Sequence, residues 1–314
     1  MTTIPPSPTP TPAGFRAGFC AIVGRPNVGK STYLNRVLGE KLAAVTPKPQ
    51  TTRNRILGVR NLPLAQIVYV DTPGIHRGRS SLNRYMVDQA LRAAAECDVV
   101  LLLVEAPRGA PRAFEIGPGQ QLVLDAVCAL AKPRILGVNK VDLLLRKDAL
   151  LPLLDGYSKI ASFDEVVPMS AATGLGVDAL EAAITSRLPE SERLFPEDML
   201  TDRAERFLAA ELVREQIFLQ LGDELPYSIA IDVQSFRERS EPREVTIEAN
   251  VVVERDSQKR IVVGNGGRML KEIGMKARAE IGRLLGCPVH LKLFVKIDPD
   301  WTTRNEALKR LGYV

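Results

Sequence analysis

The chain has 314 residues, a length that favours two domains, with 45% hydrophobic residues and a formal net charge of +5. No apolar run reaches the ~18 residues needed to span a bilayer, and the proline-rich start lacks the apolar core of a secretory signal. Cys20, Cys97, Cys128 and Cys287 are scattered without paired spacing and there are only two histidines, which excludes a disulfide framework and a zinc module and leads us to expect a cytoplasmic protein with reduced cysteines.

Residues 1–17, with prolines at 5, 6, 8, 10 and 12, are expected to be a disordered arm. A first domain is expected over 18–190, a linker over 191–202 and a second domain over 203–314. The apolar run Phe19–Val23 reads as a buried strand, and Gly24-Arg25-Pro26-Asn27-Val28-Gly29-Lys30-Ser31 follows it directly, fitting G-x-x-x-x-G-K-S. A strand that turns through glycines into a helix points several backbone N–H groups into one concavity, which suits polyphosphate. Gly24, Asn27, Val28, Gly29 and Thr32 would line that loop, with Lys30 reaching the outer phosphates and the Ser31 hydroxyl holding Mg2+. A chance match in a chain of this size is an event of about 1%.

The strand Ile67–Val70 ends on Asp71-Thr72-Pro73-Gly74-Ile75. Ligands bind at strand ends in open α/β sheets, so Asp71 can hold magnesium through water while the Gly74 N–H senses the terminal phosphate. A helix over Leu82–Ala95, a strand over Val99–Val104 and an irregular Pro/Gly-rich loop over 106–119 follow, then a helix over Gln121–Ala131. The strand Ile135–Val138 leads into Asn139-Lys140-Val141-Asp142. A carboxylate at Asp142 can accept the two edge N–H groups that guanine presents and adenine lacks. The Lys140 stem can lie along the base, and Asn139 can brace the loop. After the strand Val166–Met169, backbone N–H groups of Ser170-Ala171-Ala172 would meet the guanine carbonyl, and a helix over Val177–Arg187 closes a mostly parallel sheet covered on both faces.

These four motifs in this order resemble the small GTPase domain of the translation-factor-related class, which implies GTP and GDP as ligands and GTP hydrolysis. The charged or larger residue usual in its last motif is replaced here by Ala172. Switch I is expected at Thr46–Arg53, where Gln50, Thr51, Thr52 and Arg53 are candidates and Thr52 is the expected magnesium ligand once γ-phosphate is present. Ile75 stands where many such enzymes place a water-orienting glutamine, so intrinsic turnover should be slow, and His76 is expected to be a surface histidine. In potassium-activated relatives the Asn27 position supplies a cation ligand, which makes K+ an expected cofactor beside Mg2+.

Leu194–Met199 marks the linker. A helix over Ala204–Leu221 precedes strands at Ser228–Gln234 and Val245–Val253, and a final strand covers Val289–Ile297, the three expected to be antiparallel under helices. From Arg260 to Val314 there are 11 Lys or Arg against 5 Asp or Glu, a net +6 that points to a polyanion: RNA, or an anionic membrane surface. Ile261–Val263, a strand by propensity, precedes Gly264-Asn265-Gly266-Gly267. An amphipathic helix follows, with Met269, Ile273, Ala277, Ile281 and Leu285 on one face, and Arg268, Lys271, Lys276, Arg278 and Arg283 supplying charge.

This half resembles a type II KH domain, whose G-x-x-G loop clamps about four single-stranded nucleotides. That resemblance implies a helical turn at Ile261–Val263 and RNA contacts from Gly264, Asn265, Gly266, Gly267, Arg268 and Lys271. The fold class is thus a P-loop GTPase domain of α/β type with a mostly parallel sheet, followed by an α+β type II KH domain. One nucleotide motif set followed by one KH domain, with Gln50-Thr51-Thr52-Arg53, Phe195-Pro196-Glu197-Asp198, Glu224-Leu225-Pro226-Tyr227-Ser228 and Pro288-Val289-His290-Leu291, resembles the Era family of bacterial GTPases from Gly18 to Val314. The resemblance implies binding to single-stranded small-subunit ribosomal RNA near its 3′ end rather than to DNA. It also implies a role in small-subunit assembly and weak peripheral contact with the inner membrane. Two other readings stand beside it: a scaffold holding GTP as a structural ligand, and a regulator that uses its basic domain on anionic lipid.

Overall fold

The structure, a computed structural model, describes residues 11–76, 81–107, 116–145, 148, 150–222 and 225–313. The proline-rich start up to residue 10 and residues 108–115 of the irregular loop lie outside them. The first half builds β1 (Arg16–Gly24), α1 (Lys30–Leu38), β2 (Ile56–Leu62), β3 (Ala65–Asp71), α2 (Ser81–Glu96), β4 (Val99–Glu105), α3 (Pro118–Cys128), β5 (Arg134–Asn139), α4 (Leu150–Ile160), β6 (Glu165–Pro168) and α5 (Val177–Thr185). The strands form one sheet in the order β2-β3-β1-β4-β5-β6, parallel throughout except for β2. Alternation along β1 divides its side chains between two cores. Cys20 and Ile22 pack with Tyr33 and Leu34 of α1 and Leu180 and Ile184 of α5, whereas Ala21 and Val23 face Ala90 of α2 and Val123 of α3. Because β1 lies between β3 and β4, its connections diverge and leave a crevice at the carboxyl ends of β1 and β3.

Several boundaries differ from expectation. Phe15 and Ala17 are buried and β1 starts at Arg16, so the ordered domain begins before residue 18. Pro118 is the first residue of α3, where its missing N–H costs nothing, so this helix starts three residues earlier than expected. The antiparallel strand β2 was not expected at all. Gly58 and the polar pair Arg60-Asn61 break its apolar alternation, and Gly58 lies close under α1, where a Cβ would be 2.5 Å from Leu38 Cδ1 and would make that side chain shift. The helix α4 also escaped the sequence pattern, which Pro152 in its first turn and Gly156 interrupt.

The second half comprises α6 (Glu205–Gln220), β7 (Ala230–Ser240), β8 (Arg243–Val253), α7 (Asp256–Val263), α8 (Arg268–Leu285), β9 (Val289–Ile297) and α9 (Asn305–Arg310). Ile261–Val263 is the last turn of α7, with Val262 buried, so packing overrides its strand propensity. The three-stranded sheet β7-β8-β9 is not wholly antiparallel: β9 pairs parallel to β8, because α7 and α8 carry the chain back to the starting end between them. Leu212 and Ile217 of α6, Ile247 and Val251 of β8, and Ile273, Ala277 and Ile281 of α8 form its core. A further apolar cluster joins the two halves, with Leu82 and Met86 of α2 against Trp301, Leu308 and Tyr313.

The segment 191–202 is fastened to the first domain. Gln66, fully buried in β3, accepts from the Leu194 and Phe195 amides at 2.8 and 2.9 Å and donates to the Phe195 carbonyl at 2.8 Å. Val59 N–H donates to the Leu200 carbonyl at 2.8 Å, covering the free edge of β2. Replacing Gln66→Leu strands three part-buried backbone groups; we expect a loss of roughly 1–3 kcal/mol in thermal unfolding and faster proteolysis within residues 191–200.

Candidate nucleotide site and nucleic-acid groove

The loop between β1 and α1 is shaped by three residues with positive φ. Gly24 (φ +153°) and Gly29 (φ +98°) admit no side chain: a Cβ would meet the Leu103 carbonyl at 2.4 Å and Asn139 Nδ2 at 2.2 Å respectively. Asn27 (φ 65°) occupies the left-handed region that its amide tolerates. Lys30, only 6% exposed, lies back over the loop and donates from Nζ to the Arg25 carbonyl at 3.0 Å and the Gly24 carbonyl at 3.4 Å. Burial lowers its pKa to about 8, opposed by the charge of Asp71. A polyphosphate would supply the counter-charge that the loop carbonyls offer only as dipoles.

Three hard oxygens converge beside it. Ser31 Oγ donates to Asp71 Oδ2 at 2.7 Å and lies 2.8 Å from Thr52 Oγ1, which is 3.4 Å from the same carboxylate oxygen. Asp71 ends β3 with 0% exposure, burial raises its pKa to about 6 against the opposing effect of Lys30, and its Oδ1 is buried without a hydrogen-bond partner among the described residues. Hydroxyl and carboxylate donors with one orphaned oxygen fit a magnesium ion. The Thr51 hydroxyl turns elsewhere, to Thr46 Oγ1 at 2.6 Å and the Lys48 carbonyl at 2.7 Å. Gly74 sits so close to the phosphate loop that a Cβ would be 2.6 Å from Pro26 N. Thr72 Oγ1 donates to the Ile22 carbonyl at 2.8 Å, and buried Pro73 lies between these two residues. The Ile75 side chain is 2% exposed within the core and only its amide, 3.0 Å from the Gly24 carbonyl, reaches the loop. His76, expected at the surface, is half-buried: Nδ1 lies 2.8 Å from the Gly74 carbonyl and Nε2 3.2 Å from Gln50 of switch I.

Asn139 joins the three loops. Its Nδ2 donates to the Val28 carbonyl at 2.7 Å, while Oδ1 accepts from Lys140 N at 2.8 Å and Ala171 N at 2.9 Å. Lys140, with φ 66°, spans the site and donates to the Asn27 carbonyl at 2.7 Å and Glu105 Oε2 at 2.9 Å. Asp142 is exposed in a 3-10 turn that follows. Of the three amides expected to face a guanine carbonyl, Ala171 N–H is taken by Asn139 and Ser170 N–H by the Leu175 carbonyl at 2.8 Å. Only Ala172 N–H is left without an acceptor among the described residues. A cavity of about 500 Å³ runs from Gly29, Lys30, Ser31 and Thr32 to Thr52, Gly74 and Lys140; Asp142 and residues 170–172 do not line it. Arg53 is absent from it too, being fully buried against the second domain. Sequence reasoning missed Glu105, although its place at the end of β4 is a signal, and Arg36, which holds the Ala171 carbonyl at 2.5 Å.

In the second domain Gly264 (φ 69°, ψ 178°) ends α7 and a Cβ there would lie 2.6 Å from Met269 Cβ, while Gly266 and Gly267 are left-handed. The loop, with exposed Asn265, delivers the chain into α8, whose N-terminal amides face outward. A groove of about 330 Å³ lies between α8 and β9, with Gly267, Leu270 and Gly274 facing Leu291 and Leu293, and with Lys271 and Arg278 at its rim. Lys276 and Arg283 are paired with Glu272 and Glu280. Arg268, Lys271 and Arg278 are exposed with no carboxylate partner among the described residues.

Known proteins share this pair of domains. Residues 19–140 match the family described as 50S ribosome-binding GTPase, and residues 224–302 match the KH domain. GTPase Era of Geobacter metallireducens is 50% identical over 299 residues, covering 95% of this chain and 98% of that protein. The Pseudomonas aeruginosa protein of the same name is 46% identical, covering 96% of each chain. A crystal structure of Era in complex with MgGDPNP and nucleotides 1506–1542 of 16S ribosomal RNA superposes with a TM-score of 0.89 at 40% identity, covering 96% of this chain and 99% of that one. A single-residue variant of Aquifex aeolicus Era bound to GDP·AlF4− gives the same score and identity over 96% and 100%. The chain therefore belongs to the Era family of GTPases, pairing a P-loop GTPase domain with a C-terminal KH domain.

Proposed function

We propose that the protein is a slow GTP-hydrolysing switch whose KH groove binds single-stranded small-subunit ribosomal RNA and which assists assembly of that subunit. One observation carries the coupling: switch I is bonded on one side to the oxygens around Asp71 and on the other to the second domain. There Val45 N–H donates to Glu215 of α6 at 2.9 Å, and Arg214 of α6 donates to the Thr51 carbonyl. Ordering of this segment by nucleotide therefore changes what the KH half touches.

In this reading Ser31 and Thr52 hold Mg2+, with Asp71 acting through water, and the ion supplies charge neutralisation between the outer phosphates. Lys30 and the loop amides bind and orient the phosphates, Asp142 and Ala172 N–H select guanine, and buried Ile75 leaves water placement to the backbone. Asn27 lies against switch I, its amide donating to the Pro47 carbonyl at 2.6 Å, so a carbonyl oxygen stands within reach of a K+ held there. Gly264, Asn265, Gly266, Gly267, Arg268 and Lys271 meet the RNA backbone along the open groove. Residence is cytoplasmic, with weak contact between the basic segment and anionic membrane. Among the described residues no helix is long and apolar enough to cross a membrane.

RNA affinity measured with a GTP analogue and with GDP tests the coupling; equal affinities, with no effect of RNA on turnover, would sink it. Asp142→Asn should weaken GTP binding by at least about a hundredfold and erase the preference over ATP, as calorimetry would show. GTPase rates should be higher in potassium than in sodium buffers and lose that difference in Asn27→Ala. Gly266→Asp, placing a carboxylate and a strained φ at the clamp, should abolish RNA binding while GTP binding persists. If instead it removes only vesicle binding, the lipid reading prevails.

A further inference from the structure

Arg53 is a switch I residue whose side chain lies wholly outside the nucleotide cavity, at 0% exposure. Its guanidinium carbon is 5.8 Å from the ring centre of Phe218 in α6, 5.9 Å from Trp301 and 5.8 Å from Tyr313, and Nη1 donates to the Ile229 carbonyl at 2.7 Å. All four partners belong to the KH half. A desolvated guanidinium enclosed by aromatic faces is held more firmly than one in water, and its planar fork cannot be replaced by a point charge. On the other side of Thr52, the Thr51 carbonyl accepts from Arg214, itself 1% exposed and paired with Glu211. Both neighbours of Thr52 are therefore anchored in the second domain, while its hydroxyl points back to Ser31 and Asp71 in the first.

We propose that Arg53 is a positioning residue for the magnesium site: the aromatic box of the KH half, by gripping Arg53, holds the Thr52 hydroxyl where the ion needs it. This rests on the nucleotide reading above and extends it, because it makes the second domain part of the machinery that retains Mg2+ with GTP. By linkage, magnesium bound with a triphosphate tightens the box, and an intact box tightens magnesium. A merely structural arginine would lower stability without altering metal demand.

The molecule carries its own reporter, since Trp301 in the box is the one tryptophan of the chain. The test uses the full chain, a non-hydrolysable GTP analogue titrated with magnesium, and tryptophan emission. In the wild type, emission should shift when magnesium and analogue are present together and not with GDP alone. Arg53→Ala should raise the magnesium needed for half-maximal analogue binding about tenfold and abolish the emission response, leaving magnesium-free GDP affinity unaltered. Wild-type magnesium demand in that variant, or an unresponsive Trp301 in the wild type, overturns the proposal. Should Arg53→Ala fail to fold, Phe218→Leu opens the box from the opposite side and is judged by the same readouts. A wild type that binds no guanine nucleotide overturns the nucleotide reading itself, whereas normal binding with unmoved metal demand in the variants overturns this proposal alone.

Discussion

The buried carboxamide of Asn139 is the constraint on which the nucleotide site depends. With one side chain it closes the phosphate loop, the turn carrying Asp142 and the loop at Ser170–Ala172 into a single rigid rim. The arrangement needs Gly29 as its counterpart, because any side chain there would occupy the place of the amide nitrogen. Two of these hydrogen bonds are buried and the third is part-buried, so they resist exchange with solvent and the rim is preorganised before ligand arrives. The opposite wall of the site is different in kind. It is made by residues 46–53, which own no regular structure and take their shape from what they touch on either side.

That difference places the irregular wall of the candidate site at the boundary between domains. Lys41 is paired with Glu215 at 2.7 Å and Glu280 at 3.3 Å, linking the segment after α1 to both helices of the KH core. The apolar contact of α2 with Trp301 and Tyr313 adds the helix that follows the Asp71–Gly74 turn. The segment after α1 and the helix after the Asp71–Gly74 turn thus both border the second domain. Separating the halves would expose a buried arginine, buried carboxylates and aromatic rings together, a composite surface that neither water nor apolar contact satisfies well.

The motifs that read clearly in the sequence are those whose chemistry is local. A glycine loop between a strand and a helix, a carboxylate at a strand end and an amphipathic helix after Gly264–Gly267 each contain their own explanation within a short window. Elements set by distant partners did not read. The strand β2 exists because β3 pairs with it and the Leu194–Leu200 segment covers it, and its glycine and polar residues hid it. The direction of β9 depends on a crossover, not on its own residues. Arg53 read as a switch residue, but its partners lie near the end of the chain, and no local pattern announces a cation bound by three rings. The narrowing of the amides expected to face guanine to Ala172 likewise required knowing what Asn139 and Leu175 already occupy.

The attachment of residues 191–200 to the outer edge of the first sheet relocates the pivot between the halves. Only Thr201–Ala204 separate the Leu200 carbonyl, fixed to Val59, from the start of α6. Such a tether extends to roughly 14 Å at most. Any reorientation of the second domain is therefore a swing about a short leash rather than a departure, along an arc centred beside β2.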